Sequence, residues 1–260
     1  FEEGKHTESK IFNALLVVKS PGIPDTIAMI VQLKEKGVAV ISEIEFAGKY
    51  TKAKFIGITG SNGKTTTAML TYHMLKNAGL NVGLAGNVGD SLARQVAEDD
   101  KDIYVLELSS FQLDGMYDFK VDIAILLNIT PDHLDRYNYK FENYVSSKFR
   151  ILQNQDEHCH FIYCIDDEAI QEYLSHNVVK AIQHPFSIKK VTDNGAYIEN
   201  EKLIININKI FEMTIQSLAL QGKHNLYNSM ASSMSGRVLE LKKEIIRESL
   251  TDFQNVEHRL

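Results

Sequence analysis

Short β-rich apolar runs alternate with helix-length periodic segments along most of the chain. Residues 14–19 (ALLVVK) predict a strand and 20–24 (SPGIP) a turn. Residues 26–36 predict a helix with Ile27, Ile30, Val31 and Leu33 on one side. Gly37 fits the position that ends it. A second strand follows at 38–41, and 42–50 leads into a polar link at 51–54. A longer series begins at 55–59 (FIGIT), a buried-strand run entering a glycine-rich loop, then a helix at 65–78 with Leu70, Met74 and Leu75 inward. Strands at 81–85, 103–107 and 123–127 follow, with a helix at 91–98. Residues 141–153 predict a helix and 161–164 a strand. After these the pattern changes to a hairpin over 195–208, turning near 200–202, and to helices at 226–241 and 242–250. Strands alternating with helices imply βαβ units: an α/β fold with a mostly parallel sheet covered on both faces.

Composition narrows the classes. The chain has 260 residues, 44% of them hydrophobic and 24% charged, enough apolar material for a sizeable core. Length alone favours about one or two domains. The net charge of −6, with no basic stripe, argues against nucleic acid. No apolar run approaches the roughly 18 residues of a membrane span, and FEEGKHTESK holds no signal-peptide core. Cys159 and Cys164 make no disulfide framework, so a reducing cytoplasm is the expected compartment. Both ends read as cut. Residues 1–51 supply two strands, too few to close a sheet, and NVEHRL stops without a cap. The expected division is a partial Rossmann-like domain at 1–51, a central domain at 52–255, and the start of another at 256–260.

The chemistry concentrates after strands. Gly60-Ser61-Asn62-Gly63-Lys64-Thr65-Thr66 lies between a strand and a helix, where a phosphate cradle belongs. Glycines let backbone N–H groups turn toward an anion, and the helix N-terminus adds a favourable dipole. Lys64 would reach the β- and γ-phosphates of a nucleotide and the Thr65 hydroxyl would hold Mg²⁺. The strict G-x-x-x-x-G-K-[ST] pattern wants glycine where Ile58 stands, so the loop is a variant. Glu107 ends a strand and suits either Mg²⁺ or an ordinary strand-end ion pair. His133, flanked by Asp132, Asp135 and Arg136, suits a metal or a charge-paired surface. Lys148 lies on a helix, where a solvated face is the usual role. His158-Cys159-His160 resembles a ligand cluster, but strand alternation would send neighbouring side chains to opposite faces. Met230 and Met234, at i and i+4, read as helix core.

GITGSNGKTT, GNVGDS, LELSSFQLD, NITPDHLDRY, SSKFRI, LQGKHNLYN and VEHRL occur here in the order seen in Mur ligases, and the chain resembles that family over essentially its whole length. SPGIP, SEIE and LELSSFQLD look most like the branch that joins D-glutamate to UDP-N-acetylmuramoyl-L-alanine in peptidoglycan synthesis. The resemblance implies an ATP-dependent amide ligase, cytoplasmic and monomeric, with two Mg²⁺ sites. It implies that Thr65 and Glu107 hold one Mg²⁺, and that His133 and a carbamylated Lys148 serve the second. It places Asn225, Asn228 and Arg259 at the nucleotide, and Ser20, Gly22, Asn87, Ser109 and Gln112 at the UDP-sugar. Two departures stand out. Only the later part of the uridine-binding domain is expected here, and the domain that binds D-glutamate would begin where the sequence stops. The segment alone is therefore expected to bind nucleotide without completing ligation. The rival readings are a folylpolyglutamate-type or other Mur-type ligase, a P-loop NTPase, and a nucleotide-binding module without turnover.

Overall fold

The structure is a computed structural model that describes Glu2 and residues 6–254. The chain opens with α1 (Glu8–Phe12), β1 (Leu16–Val18), α2 (Ala28–Glu35) and β2 (Ala39–Ile41). β1 and β2 pair in parallel as a two-stranded sheet. Ile30, Leu33 and Val40 form its own small core.

The large unit follows as α3 (Glu43–Gly48), β3 (Lys54–Thr59), α4 (Lys64–Asn77), β4 (Val82–Gly86), α5 (Leu92–Glu98), β5 (Ile103–Glu107), α6 (Ser110–Asp114), β6 (Ile123–Leu126) and α7 (Phe141–Phe149). It continues through β7 (His160–Cys164), α8 (Glu168–His176), β8 (Ile182–Ser187), β9 (Ala196–Glu199), β10 (Lys202–Ile205), β11 (Phe211–Thr214), α9 (Lys223–Val238) and α10 (Lys243–Asp252). Its strands form one nine-stranded sheet in the order β11-β10-β9-β8-β7-β6-β3-β5-β4. Strands from β4 to β9 run parallel, and β10 and β11 are antiparallel to their neighbours.

Right-handed crossovers decide which face each helix covers. The chain steps from β3 outward to β4 and then reverses, through β5, β6, β7 and β8. That reversal puts α4 on one face and α5 to α8 on the other. α9 and α10 pack on α4 and complete its layer. β5 and β6 are buried at every residue, as a sheet covered on both faces requires.

Several elements lie where the apolar pattern predicts none: α1, α3, α6, α8, β8 and β11. The most consequential is α3. Ser42 caps it, its hydroxyl accepting from the Glu45 amide at 3.1 Å. Ile44 and Ala47 sit in the core of the large sheet, and Glu45, 1% exposed, accepts the backbone amides of Tyr117, Asp118 and Phe119. The large core therefore takes in α3, ahead of the boundary expected at 52. Helix α7 also stops short of the expected 153, at Phe149, and a 3-10 turn carries on over Arg150–Leu152.

At the far edge, α10 lies along β11. Lys243 Nζ donates to the Ile210 carbonyl, and Arg247 Nη2 to the Glu212 carbonyl at 3.0 Å. No helix among the described residues is long and apolar enough to cross a membrane.

Candidate functional site

The order β6-β3-β5 makes β3 the point from which the chain leaves in both directions, and a crevice opens beyond the carboxyl ends of these strands. The loop after β3 enters α4 through Gly60 (φ +152°) and Gly63 (φ +85°). Gly63 has a physical reason to be glycine: a Cβ there would overlap Asn228 Oδ1, in a left-handed backbone that side chains resist. The loop is clasped to the strand beside it. Asn128 Oδ1 accepts from the Asn62 amide at 2.8 Å, Asn128 Nδ2 donates to the Asn62 carbonyl, and the Ser61 amide donates to the Asn128 carbonyl. The Ser61 hydroxyl bonds both the amide and the carbonyl of Thr130. The first amides of α4 have no intrahelical partner, as at any helix N-terminus, and such groups suit an anion.

Lys64 Nζ donates to the Ser61 carbonyl at 2.9 Å. Burial lowers its pKa, opposed by the charges of Glu107 and Asp132. The Thr65 hydroxyl donates to Glu107 Oε2 at 2.8 Å, and Asn87 Nδ2 donates to Glu107 Oε1 at 3.0 Å. Glu107 is 1% exposed, so Thr65 and Asn87 hold a buried carboxylate at the foot of the phosphate loop. A hydroxyl and one carboxylate suit Mg²⁺, which usually takes one or two protein oxygens besides phosphate and water. Among the described residues, no group of three or more His, Cys, Asp or Glu side chains gathers into a metal cage.

Lys148 departs from the solvated role usual for a helix lysine. It is 2% exposed, donates to the Gly60 carbonyl at 2.8 Å, and lies 4.6 Å above the Tyr144 ring. Burial first, and then the charge of Lys64, push its pKa down to about 7. An amine so placed is partly neutral near pH 7, the form that reacts with CO₂. Tyr144 also meets the Ser61 hydroxyl at 3.2 Å, joining the phosphate loop to the helix that carries Lys148.

His133 is half exposed in a left-handed turn (φ +49°), with its ring 5.2 Å from that of Phe111 and Nε2 3.5 Å from Asp132. Asn228 Nδ2 donates to Asn225 Oδ1 at 3.3 Å on the first turns of α9, against Gly63. Ser109 and Gln112 are tied to each other. The Ser109 hydroxyl accepts from the Gln112 amide while Gln112 Oε1 accepts from the Ser109 amide, a reciprocal cap on α6. Ser20 and Gly22 lie in the turn between β1 and α2, across a cleft of about 270 Å³ lined by Lys19, Pro24, Phe111, Asp114, Arg136 and Tyr137. Arg259 lies outside the described residues. The structure thus brings the loop, Glu107, Asn87, Lys148 and the Asn225–Asn228 pair around one crevice, with His133 at its rim.

Sequence reasoning passes over Asn128, Tyr144 and Asp132 as site-building residues. The position of Asn128, directly after a strand beside the phosphate loop, is the signal that could have found it. His160 and Cys159 have other partners: His160 Nδ1 lies 2.9 Å from His184 Nε2, and Cys159 Sγ 3.4 Å from Asp156. Met230 and Met234 are fully buried in the core.

A parallel α/β sheet with a glycine loop, lysine and threonine at one strand–helix junction defines the class of P-loop nucleotide-binding domains. Residues 58–236 match the Mur ligase middle domain, and the chain belongs to the Mur ligase family. It is 58% identical over 261 residues to the UDP-N-acetylmuramoylalanine–D-glutamate ligase of Christiangramia forsetii, and 55% identical over 260 residues to the enzyme of that name from Bacteroides fragilis. Both alignments cover 100% of this chain and 59% of the relative, so the chain spans little more than half the length of these relatives. Among solved structures, it is similar to the UDP-N-acetylmuramate:L-alanyl-gamma-D-glutamyl-meso-diaminopimelate ligase from Neisseria meningitides. That likeness has a TM-score of 0.69 at 18% identity, covers 96% of this chain and 83% of the other, and shows a shared fold.

Proposed function

We propose that this chain is the nucleotide-binding part of a monomeric, cytoplasmic, ATP-dependent ligase that joins D-glutamate to UDP-N-acetylmuramoyl-L-alanine. The observation that carries the proposal is the buried Thr65–Glu107 pair beside Lys64, in a chain 58% identical to a ligase of that name. In the reaction, the substrate carboxylate attacks the γ-phosphate of ATP and ADP leaves. The amine of D-glutamate attacks the resulting acyl phosphate, and phosphate leaves as the amide forms.

The residues divide this work. Lys64 exchanges the Ser61 carbonyl for the transferring phosphoryl group, and the first amides of α4 receive the phosphates. Thr65 and Glu107 hold one Mg²⁺, and His133 with a carbamylated Lys148 serve the second. Mg²⁺, when bound, neutralises charge on the phosphates and orients them. Carbamylation follows from burial: the neutral Nζ attacks CO₂, loses a proton, and becomes an anionic oxygen donor. Asn225 and Asn228 border the nucleotide, with Arg259 proposed as a further contact. Asn87, Ser109, Gln112, Ser20 and Gly22 face the UDP-sugar.

Calorimetric titration should show weak binding of Mg²⁺-nucleotide by the 260-residue chain. The same chain should form no amide product from UDP-sugar, ATP, Mg²⁺ and D-glutamate. The full-length enzyme should ligate, and Lys64→Ala should cost it about 3 kcal/mol of transition-state stabilisation, by analogy with the loss of a single oxyanion donor. Ligation by the full-length variant within about tenfold of the parent, ~1.4 kcal/mol, would remove Lys64 from the mechanism.

A further inference from the structure

Residues 6–41 meet the large unit across the cleft described above, and few polar contacts cross it. Among the described residues, one hydrogen bond joins 6–41 to anything beyond Ser42: Arg136 Nη1 donates to the Gly22 carbonyl at 3.3 Å. The turn is otherwise held from its own side. Lys19 Nζ donates to the Ile23 carbonyl at 2.6 Å and pairs with Asp25 at 3.0 Å, and the Ile23 amide donates to the Ser20 carbonyl.

Arg136 is also seated on the large unit. Its guanidinium carbon lies 4.4 Å from the centroid of Phe111, a residue of α6, the helix that Ser109 and Gln112 cap. The His133 ring lies 5.2 Å from that same Phe111 ring. Arg136 is half-buried and, among the described residues, has no carboxylate within ion-pair distance. A half-buried guanidinium held by a ring face and a carbonyl is placed by those two contacts, since no ion pair competes for it.

We infer that Arg136 is a positioning residue: it locks the Ser20–Pro24 turn to the Phe111 platform, and so fixes the distance between the end that anchors the UDP-sugar and the His133 loop where its carboxylate reacts. The substrate part of this inference rests on the ligase reading above. A planar guanidinium suits the task, because it can lie flat on the ring while an edge N–H reaches the carbonyl. A lysine ammonium can do one of these well and the other poorly.

The test uses R136A and R136K in two arms. In the 260-residue chain, hydrogen exchange of the Ile23 amide, which donates to the Ser20 carbonyl, should quicken at least fivefold in R136A, and less in R136K, with exchange in β3 and β5 unchanged. In the full-length enzyme, R136A should raise KM for the UDP-sugar at least tenfold while KM for ATP stays within twofold, and R136K should fall between. A purely structural defect would instead shift both KM values, or exchange throughout the sheet, and would overturn the inference. So would exchange at the turn, or KM for the UDP-sugar, within twofold of the parent in R136A. If the unaltered full-length enzyme makes no amide, the ligase reading falls, and the exchange arm still decides whether Arg136 holds the turn.

Discussion

The Lys148 amine is pulled both ways, with burial and the charge of Lys64 lowering its pKa and the charges of Asp132 and Asp114 raising it. Burial and the neighbouring Lys64 push its pKa to about 7, against 10.5 for a free lysine, so the folded state prefers the neutral form. Between those values the unfolded chain binds more protons than the folded one, and stability rises with pH. The full cost of burying the ammonium is therefore present below about pH 7 and is relieved as pH climbs toward 10.5. Comparing Lys148→Met with the parent in CO₂-free buffer isolates this. The stability of the parent relative to the variant should increase from pH 7 to pH 10 and stay flat from pH 5 to pH 6, as measured by urea unfolding. A difference that does not change with pH would mean that Lys148 keeps its proton. The sequence makes Lys64 and Thr65 legible, because strand, glycine loop and Lys-Thr fall in one short run. Residue pattern alone does not make Lys148 legible, since SSKFRI reads like any helix surface; the resemblance points to it, and the fold shows the side chain directed inward to Gly60. Asn128 is hidden for a related reason: its bonds to Asn62 join loops 66 residues apart.

Between β3 and α4 the chain turns through Gly63, and the conformation there is part of the proposed phosphate cradle. Gly63→Ala adds a Cβ in a left-handed backbone, which costs roughly 1–2 kcal/mol, and pushes against the Asn228 side chain. The variant should unfold at a lower temperature and lose nucleotide affinity. An unchanged melting temperature, or unchanged affinity by calorimetry, would show that the turn relaxes freely. Elements with strong periodicity, such as β3, α4, β5 and β6, are legible within a residue or two of their observed ends. The unpredicted ones lack that signal for identifiable reasons. Helix α6 is a five-residue turn held by its reciprocal cap. Helix α8 buries only Ile170 fully, and its start is set by Asp167, which caps the Ile170 amide and also accepts the Ile129 amide from a distant loop. Strand β8 contains His184 and Pro185, which break its apolar run, and β11 has four residues with only two buried.

At the scale of the molecule, α3 binds the early chain to the large sheet, and Glu45 is its fastening. Its carboxylate accepts three consecutive amides from the segment before β6. Glu45→Gln keeps the shape but turns an N–H₂ toward some of those donors, and should cost about 2–3 kcal/mol as buried amides lose a charged acceptor. Urea unfolding should show a lower midpoint with little change in slope, and a loss below about 0.5 kcal/mol would mean the segment re-pairs. The opposite margin of the sheet carries a different consequence. A bare outer strand is a template on which a second chain can continue the ladder. Here two carbonyls near that margin are already taken by Lys243 and Arg247 of α10. An approaching copy therefore finds both of those acceptors occupied. Removing Lys243 and Arg247 of α10 would free those acceptors at the sheet margin, and the expected consequence is lost solubility, far from the crevice where nucleotide is proposed to bind.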